Sequence, residues 1–342
     1  MARTENRFLY MLKGIACLLV ITIHFPVSGR FSEWISLLSR CAVPFFFVVA
    51  GRYAYGGRAV DTPGMLKKML ARLGKITCTA FGVLTVYTLY SFVYHRGQGM
   101  SVAAWVQMKY QPIEWLRLAA VNASNIIWDS SYVFDFLWYL FAMIWVQLFM
   151  VVTLRWRADL KNAVCVVMMS MLYLCQYMPF SATVPVLRIF SGSTLFYRNW
   201  LFTGIPFALV GVWIAQTDVR RAGRPLAWWA VAACGVMLAV RESKHFDLHD
   251  LPAGLIMLTI ALTVLAEYYP QRGSRVLAFI GKHLSANVYY WHVLVGTVLK
   301  QLLDGRLAAW LPYLVMVCTL LLSLALYAVK QWMRTRPKSV CA

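Results

Sequence analysis

Charge is scarce in this 342-residue chain: 13% of its residues are Asp, Glu, Lys or Arg, where a soluble domain has about a quarter. Acids are scarcer still, 13 against 33 Lys and Arg, for a net charge of +20. The first shortage, with a hydrophobic content of 61%, excludes a soluble globular protein and leaves a polytopic membrane protein. The second would suggest nucleic acid in a soluble chain. Here the cations sit in short segments between apolar runs, where topology and anionic lipid account for them, and no nucleic-acid partner is expected. Cysteine pairs are missing too. The eight cysteines contain no C-x-x-C and lie mostly inside apolar runs, so they read as small packing residues rather than a disulfide frame. No internal repeat, low-complexity tract or soluble appendage is visible, which predicts one membrane domain over residues 1–342. The first apolar run lacks the n-region, short h-region and small-residue cleavage site of a signal peptide and is expected to be retained.

What is present is a series of apolar runs, each about 17 to 22 residues long, the length a hydrocarbon core of roughly 30 Å demands. They predict an all-α integral membrane fold with about ten spans, near residues 9–25, 36–56, 75–94, 132–154, 162–178, 200–216, 226–240, 252–269, 286–302 and 311–332. Alternate loops collect the cations. Arg3 and Arg7, the 58–75 segment, Arg155 to Lys161, Arg220 to Arg224, Arg272 to Lys282 and the Lys330–Lys338 tail all fall on one side. Both termini are therefore expected in the cytoplasm. The longest opposite connection, residues 95–131, carries Trp105, Tyr110, Trp115 and Trp128 among polar residues, a pattern suited to the membrane interface.

The run from Leu12 to His24 has a cation at one end and an imidazole at the other. As a helix, the eleven-residue step from Lys13 to His24 is three turns plus about 20°, placing both on one face about 16 Å apart. Such groups face a bundle interior or a wet cavity; alternatively Lys13 snorkels to one interface and His24 marks the other. Lys68, Arg72 and Lys75 share a face at helical spacing, with Lys67 beside them. Asn199 stands where it could cap a helix, and Gly204 and Pro206 would loosen that helix. Glu242, His245 and His249 share helical spacing, but without H-E-x-x-H or a second ligand cluster no metal is expected.

Several of these segments resemble the membrane acyltransferase-3 family. Lys13-Gly14-Ile15-Ala16 followed by Val20 and His24 is similar to its first helix, with Lys-x10-His where the family has Arg-x10-His. Val43-Pro44-Phe45-Phe46-Phe47-Val48-Val49-Ala50-Gly51 resembles V-P-x-F-F-x-x-S-G, with Ala50 for the hydroxyl residue. The stretch from Asp135 to Ala142 resembles H-L-W-F/Y-L-x-A-L, with Phe136 for the histidine and Asp135 beside it. Arg198 to Phe207 resembles R-N-x-x-F-x-G-x-P-F, and Ser285 to His292 resembles S-x-x-I-Y-L-x-H. Lys68 and Arg72 stand nearest the family's Arg-x-x-Arg donor cluster, without the proline that follows it there.

The resemblance implies an acyltransferase of the bacterial cytoplasmic (inner) membrane. It would move an acyl group, with acetyl expected, from cytoplasmic acyl-CoA to a hydroxyl of an envelope polysaccharide, glycolipid or lipid-linked sugar. Membrane lipids are the other expected partner, and no cofactor is tightly bound. His24, Lys13 and His292 form the expected catalytic set. Arg52, Lys67, Lys68, Arg72 and Lys75 form the donor set; Asp135, Trp138, Tyr139, Arg198, Asn199 and Glu242 form the acceptor set. Intramembrane cations and histidines also suit a permeation path. Uptake of a small polar substrate is the rival reading, and a non-catalytic family member, suggested by Lys13, Ala50 and Phe136, is the third.

Overall fold

A computed structural model of the chain describes residues 5–55, 63–121, 124–127, 134–177, 199–217, 219, 223–245, 251–304 and 306–335. Helix is the only regular structure among them. In chain order the helices are α1 (Arg7–His24), α2 (Ser32–Ser39), α3 (Ala42–Arg52), α4 (Pro63–Gly97), α5 (Val102–Lys109), α6 (Pro112–Val121) and α7 (Trp138–Val152). Then come α8 (Ala158–Tyr177), α9 (Ile205–Gln216), α10 (Pro225–His245), α11 (Ala253–Tyr268), α12 (Arg275–Phe279), α13 (Ser285–Leu303) and α14 (Leu311–Thr335). Helix occurs in each of the ten intervals expected to span. Among the described residues, five stretches are long and apolar enough to cross a membrane: Arg7–His24, Ser32–Arg52, Gly64–Gly97, Pro225–Lys244 and Ala308–Thr335.

Two departures from the expected spans have local causes. The second span is broken at Arg40 and Cys41 into α2 and α3. Pro44 lies two residues into α3, and its ring would clash with the carbonyl of residue 40 if one helix ran through. The third span starts twelve residues early, because the basic segment of α4 continues the same helix. At 35 residues α4 is about 52 Å long. A core of roughly 30 Å leaves its basic first turns outside.

The chain divides into two compact units, residues 1–42 with 265–342, and residues 43–264. In the first, α1 packs on α12, α13 and α14. Asn6 starts α1: its Oδ1 accepts from the Leu9 amide at 2.9 Å while its Nδ2 donates to the Ala266 carbonyl at 2.8 Å. Lys282 Nζ pairs with Glu5 Oε1 at 2.7 Å, and Gln271 donates to the Glu5 carbonyl. The start of the chain is thereby stitched to the segment that opens α12. From Arg275 to Leu303 the backbone is helical throughout, with a π turn at Ile280–Leu284. α14 returns antiparallel, since Tyr327 meets His283 and Phe279 at ring distances of 5.0 and 5.6 Å. The described ends of the chain, Glu5 and Thr335, thus lie at the same end of this unit.

The second unit is built on α3, α4, α7, α8 and α9, with α10 against α11. Phe46 and Phe47 of α3 hold Tyr139 of α7, at ring distances of 6.0 and 4.9 Å. Close backbone approaches recur in both units where two glycines face each other's helix: Gly51 and Gly211 for α3 and α9, Gly235 and Gly254 for α10 and α11, and Gly14 and Gly281 in the first unit. At each of these a Cβ would overlap backbone of the facing helix. Apolar lipid tails give helices little reason to associate, so small residues that permit close van der Waals contact are a main source of cohesion.

Candidate functional site

α1 runs unbroken from Lys13 to His24, so the two lie about 16 Å apart along its axis. Leu9, Lys13, Cys17, Val20 and His24 form one stripe, with Leu9, Cys17 and Val20 buried and Lys13 and His24 half-buried. This face looks into the first unit, the orientation that ionisable groups require in hydrocarbon.

His292 reaches the same place from α13. Its ring centroid lies 5.2 Å from that of His24, with the planes inclined by 55°, and the side chain is 0% exposed. Its Nδ1 is 2.8 Å from the Tyr289 carbonyl oxygen and 3.1 Å from that of Val288. A carbonyl only accepts, so Nδ1 carries the hydrogen and, in the neutral ring, Nε2 carries the lone pair. One imidazole is thus held in a defined tautomer beside a second on the neighbouring helix.

Two contacts set this register. At the Lys13 end, Gly14 lies against the backbone of Leu277 and Gly281. At the other, the Phe25 ring lies on Gly296, one turn beyond His292. α1 and α13 therefore run in the same direction. The π turn lies between, and Ser285 Oγ donates to the Gly281 carbonyl at 2.8 Å within it. Such turns carry an extra residue and rotate the helix that follows. Sequence reading missed both glycine contacts; only the 281–292 spacing, eleven residues as from Lys13 to His24, hinted at a shared face.

The donor set lies in the second unit. Lys67, Lys68 and Lys75 are exposed on the first turns of α4. Arg72 is turned back: its Nη1 donates to the carbonyls of Tyr53 at 2.7 Å and Ala54 at 3.0 Å, just past the end of α3. Arg52 is buried with its guanidinium 4.9 Å from the Tyr53 ring. Lys161, which the motifs did not single out, places Nζ 4.4 Å over the Tyr55 ring and donates to the Leu154 carbonyl at 3.3 Å. Three cations therefore gather where α3 ends, facing the negative end of its dipole.

The acceptor set is dispersed within the second unit. Phe136 is buried with its ring 5.0 Å from Tyr87, so the position where the family has histidine is filled by aromatic packing. Of Asp135 only the backbone is described, in the 3-10 turn Phe134–Leu137. Trp138 and Tyr139 pack on Phe47 at ring distances of 6.1 and 4.9 Å. Asn199 caps as expected: its Oδ1 accepts from the Phe202 amide at 2.7 Å, and the π turn Trp200–Gly204 follows. Arg198 and His249 lie outside the described residues. Glu242 is buried and its Oε2 accepts from the Gly254 amide at 3.0 Å, which caps the start of α11. No cluster of three metal-ligating side chains occurs among the described residues.

Residues 6–328 match the acyltransferase-3 family, described as an acyltransferase domain. The chain belongs to this family. No curated protein and no solved structure matches it. The match runs through both units and contains Lys13, His24 and His292. Family membership and the apolar helices together make the chain a multi-pass membrane acyltransferase.

Proposed function

We propose that this acyltransferase-3 protein transfers an acyl group, acetyl in the first instance, from cytoplasmic acyl-CoA to a hydroxyl of an envelope polysaccharide, glycolipid or lipid-linked sugar. The observation that carries the reading is the His24–His292 pair, with rings 5.2 Å apart on the inward face that also carries Lys13. Acyl transfer to an alcohol needs a base for the hydroxyl proton and a positive charge for the developing oxyanion or the donor. His24 has an imidazole's intrinsic suitability for the first role, and His292, with its tautomer set by the Tyr289 carbonyl, supports it. Lys13 supplies the charge at the other end of the stripe, without the planar fork of the family's arginine.

The reaction balances as R–OH plus acyl–S–CoA giving acyl–O–R plus CoA–SH. The hydroxyl proton passes to the base, the oxygen bonds to the acyl carbon, and the carbon–sulfur bond breaks. Acyl-CoA brings several phosphate charges, which Lys67, Lys68 and Lys75 on the exposed end of α4 are suited to hold. Excess cations on alternate loops favour ten spans in the bacterial cytoplasmic membrane with both termini inside. The shared end of Glu5 and Thr335 agrees with an even number. Asp135, Trp138, Tyr139, Arg198 and Asn199 remain the acceptor-side proposal, whereas capping α11 occupies one oxygen of Glu242.

The test is inside-out membrane vesicles given radiolabelled acetyl-CoA. Label appearing in envelope glycan or glycolipid, dependent on His24, supports the reading. Label crossing the membrane without covalent transfer would replace it with transport.

A further inference from the structure

Between Leu314 and Leu326 the side-chain hydroxyls of α14 are Thr319 and Ser323. Both fall on the four-residue stripe Val315–Thr319–Ser323–Tyr327, and the first three of these are 0% exposed. The exposed positions nearby are apolar: Val317, Leu321, Leu322, Leu324 and Leu326. Neither hydroxyl oxygen has a hydrogen-bond partner among the described residues. That is unusual for a helical hydroxyl, which can return to the carbonyl four residues back. Thr259 and Thr263 on α11 do so at 2.8 Å each.

The height of these groups follows from helix geometry. Tyr327 meets His283 at a ring distance of 5.0 Å, and α14 runs antiparallel to α13. From that level Ser323 lies about 6 Å and Thr319 about 12 Å along α14, while His292 lies about 13 Å along its partner. Thr319 is therefore at the height of His292, and Ser323 lies between that height and His283. Their stripe faces inward, and α14 packs on both α13 and α1.

We propose that Thr319 and Ser323, with His292 at their head, line a hydrated seam that carries the acceptor's proton to the cytoplasmic face. The inference rests on the acyl-transfer reading. There the proton is taken at His24, but the thiolate it must finally neutralise leaves with CoA on the cytoplasmic side. The proton has to travel the same way as the leaving group, with no net proton gained or lost. A hydroxyl both donates and accepts, so water between such groups can pass a proton along without a charged side chain in the membrane. The seam ends at His283 beside Lys282.

The experiment has two arms on the full-length protein. In the first, Thr319→Cys and Ser323→Cys are treated with a small charged methanethiosulfonate and mapped by peptide mass. A thiol reacts only where water admits the reagent and ionises it. Modification at 319 and 323 well above native Cys318 is expected, and no more than at Cys318 overturns the seam whether or not the protein transfers acyl groups. In the second, Thr319→Val exchanges the hydroxyl for a methyl group at nearly constant volume. It should leave thermal stability little changed, since no hydrogen bond to a protein group is lost. At the same time kcat should fall by at least about tenfold, with donor KM unchanged and a larger solvent isotope effect, and Thr319→Ser should restore kcat. A Val variant with wild-type kcat overturns the proton route while leaving acyl transfer standing. Wild-type membranes without transfer instead defeat the acyl-transfer reading, and the labelling arm then judges hydration alone.

Discussion

The ring of Phe25 lies directly on the backbone of Gly296, so the residue after His24 is seated one turn beyond His292. A side chain at 296 would overlap that ring. The contact joins a packing requirement to the separation of the two imidazoles. Gly296→Ala should therefore cost about 1–3 kcal/mol from overpacking and reduce transfer further than the lost stability explains. Adding Phe25→Leu should recover much of both. Thermal unfolding in detergent beside the transfer rate checks this, and a Gly296→Ala protein as active and stable as wild type would remove the constraint.

His24→Ala should lower transfer by at least two decades, the lower end of what a general base supplies, about 10²–10⁴-fold. Expression and insertion should stay near normal, because alanine is a good helix former. Lys13→Arg, which restores the family's residue, should keep or raise activity, and Lys13→Ala should impair it. Rates must be normalised to detergent-stable yield. Substantial activity in His24→Ala would hand the base role to His292.

The basic end of α4 divides into two kinds of residue. Lys67, Lys68, Arg72 and Lys75 are all exposed, and Arg72 in addition donates to the Tyr53 and Ala54 carbonyls. Lys68→Gln should raise the KM for acyl-CoA more than that for the acceptor, with no change in unfolding temperature. Arg72→Gln should in addition destabilise the protein by about 1 kcal/mol through its lost carbonyl bonds. Equal stability in the two variants would show that the Arg72 contact carries no weight.

His283 gives a pH dependence with a definite sign. Its ring lies between Phe279 and Tyr327, each 5.0 Å away, and burial, then the charge of Lys282, hold its pKa below the ordinary 6.5. The folded state therefore binds the proton less readily than the unfolded chain. Its contribution to stability is whole above 6.5 and is lost as pH falls below that value toward the lowered one. Unfolding temperature should drop between about pH 7 and pH 5 more steeply in wild type than in His283→Phe. Parallel curves for the two proteins would exclude His283 as the source.

A reporter fused after Ala342 should be active only in its cytoplasmic form, and one that works in the periplasm would overturn the orientation.

Much of this molecule was written in local sequence. Apolar run length placed a helix in each expected interval, because a chain in hydrocarbon must satisfy its backbone within itself. The inward stripe from Leu9 to His24 follows from helical period alone, as does the basic face of α4. The Asn199 cap needed only a side chain and an amide three residues on. What sequence could not determine depends on residues far apart along the chain. His24 and His292 are neighbours because Gly14 and Gly281 let two backbones touch and Phe25 finds a bare Gly296. The same limit governed the polar residues. Arg72 and Glu242 looked available for ligands, but the fold brought Arg72 to the end of α3 and Glu242 to the start of α11. Unsatisfied backbone groups at helix ends take up whichever charged side chain packing brings within reach, and only the tertiary structure decides which one that is.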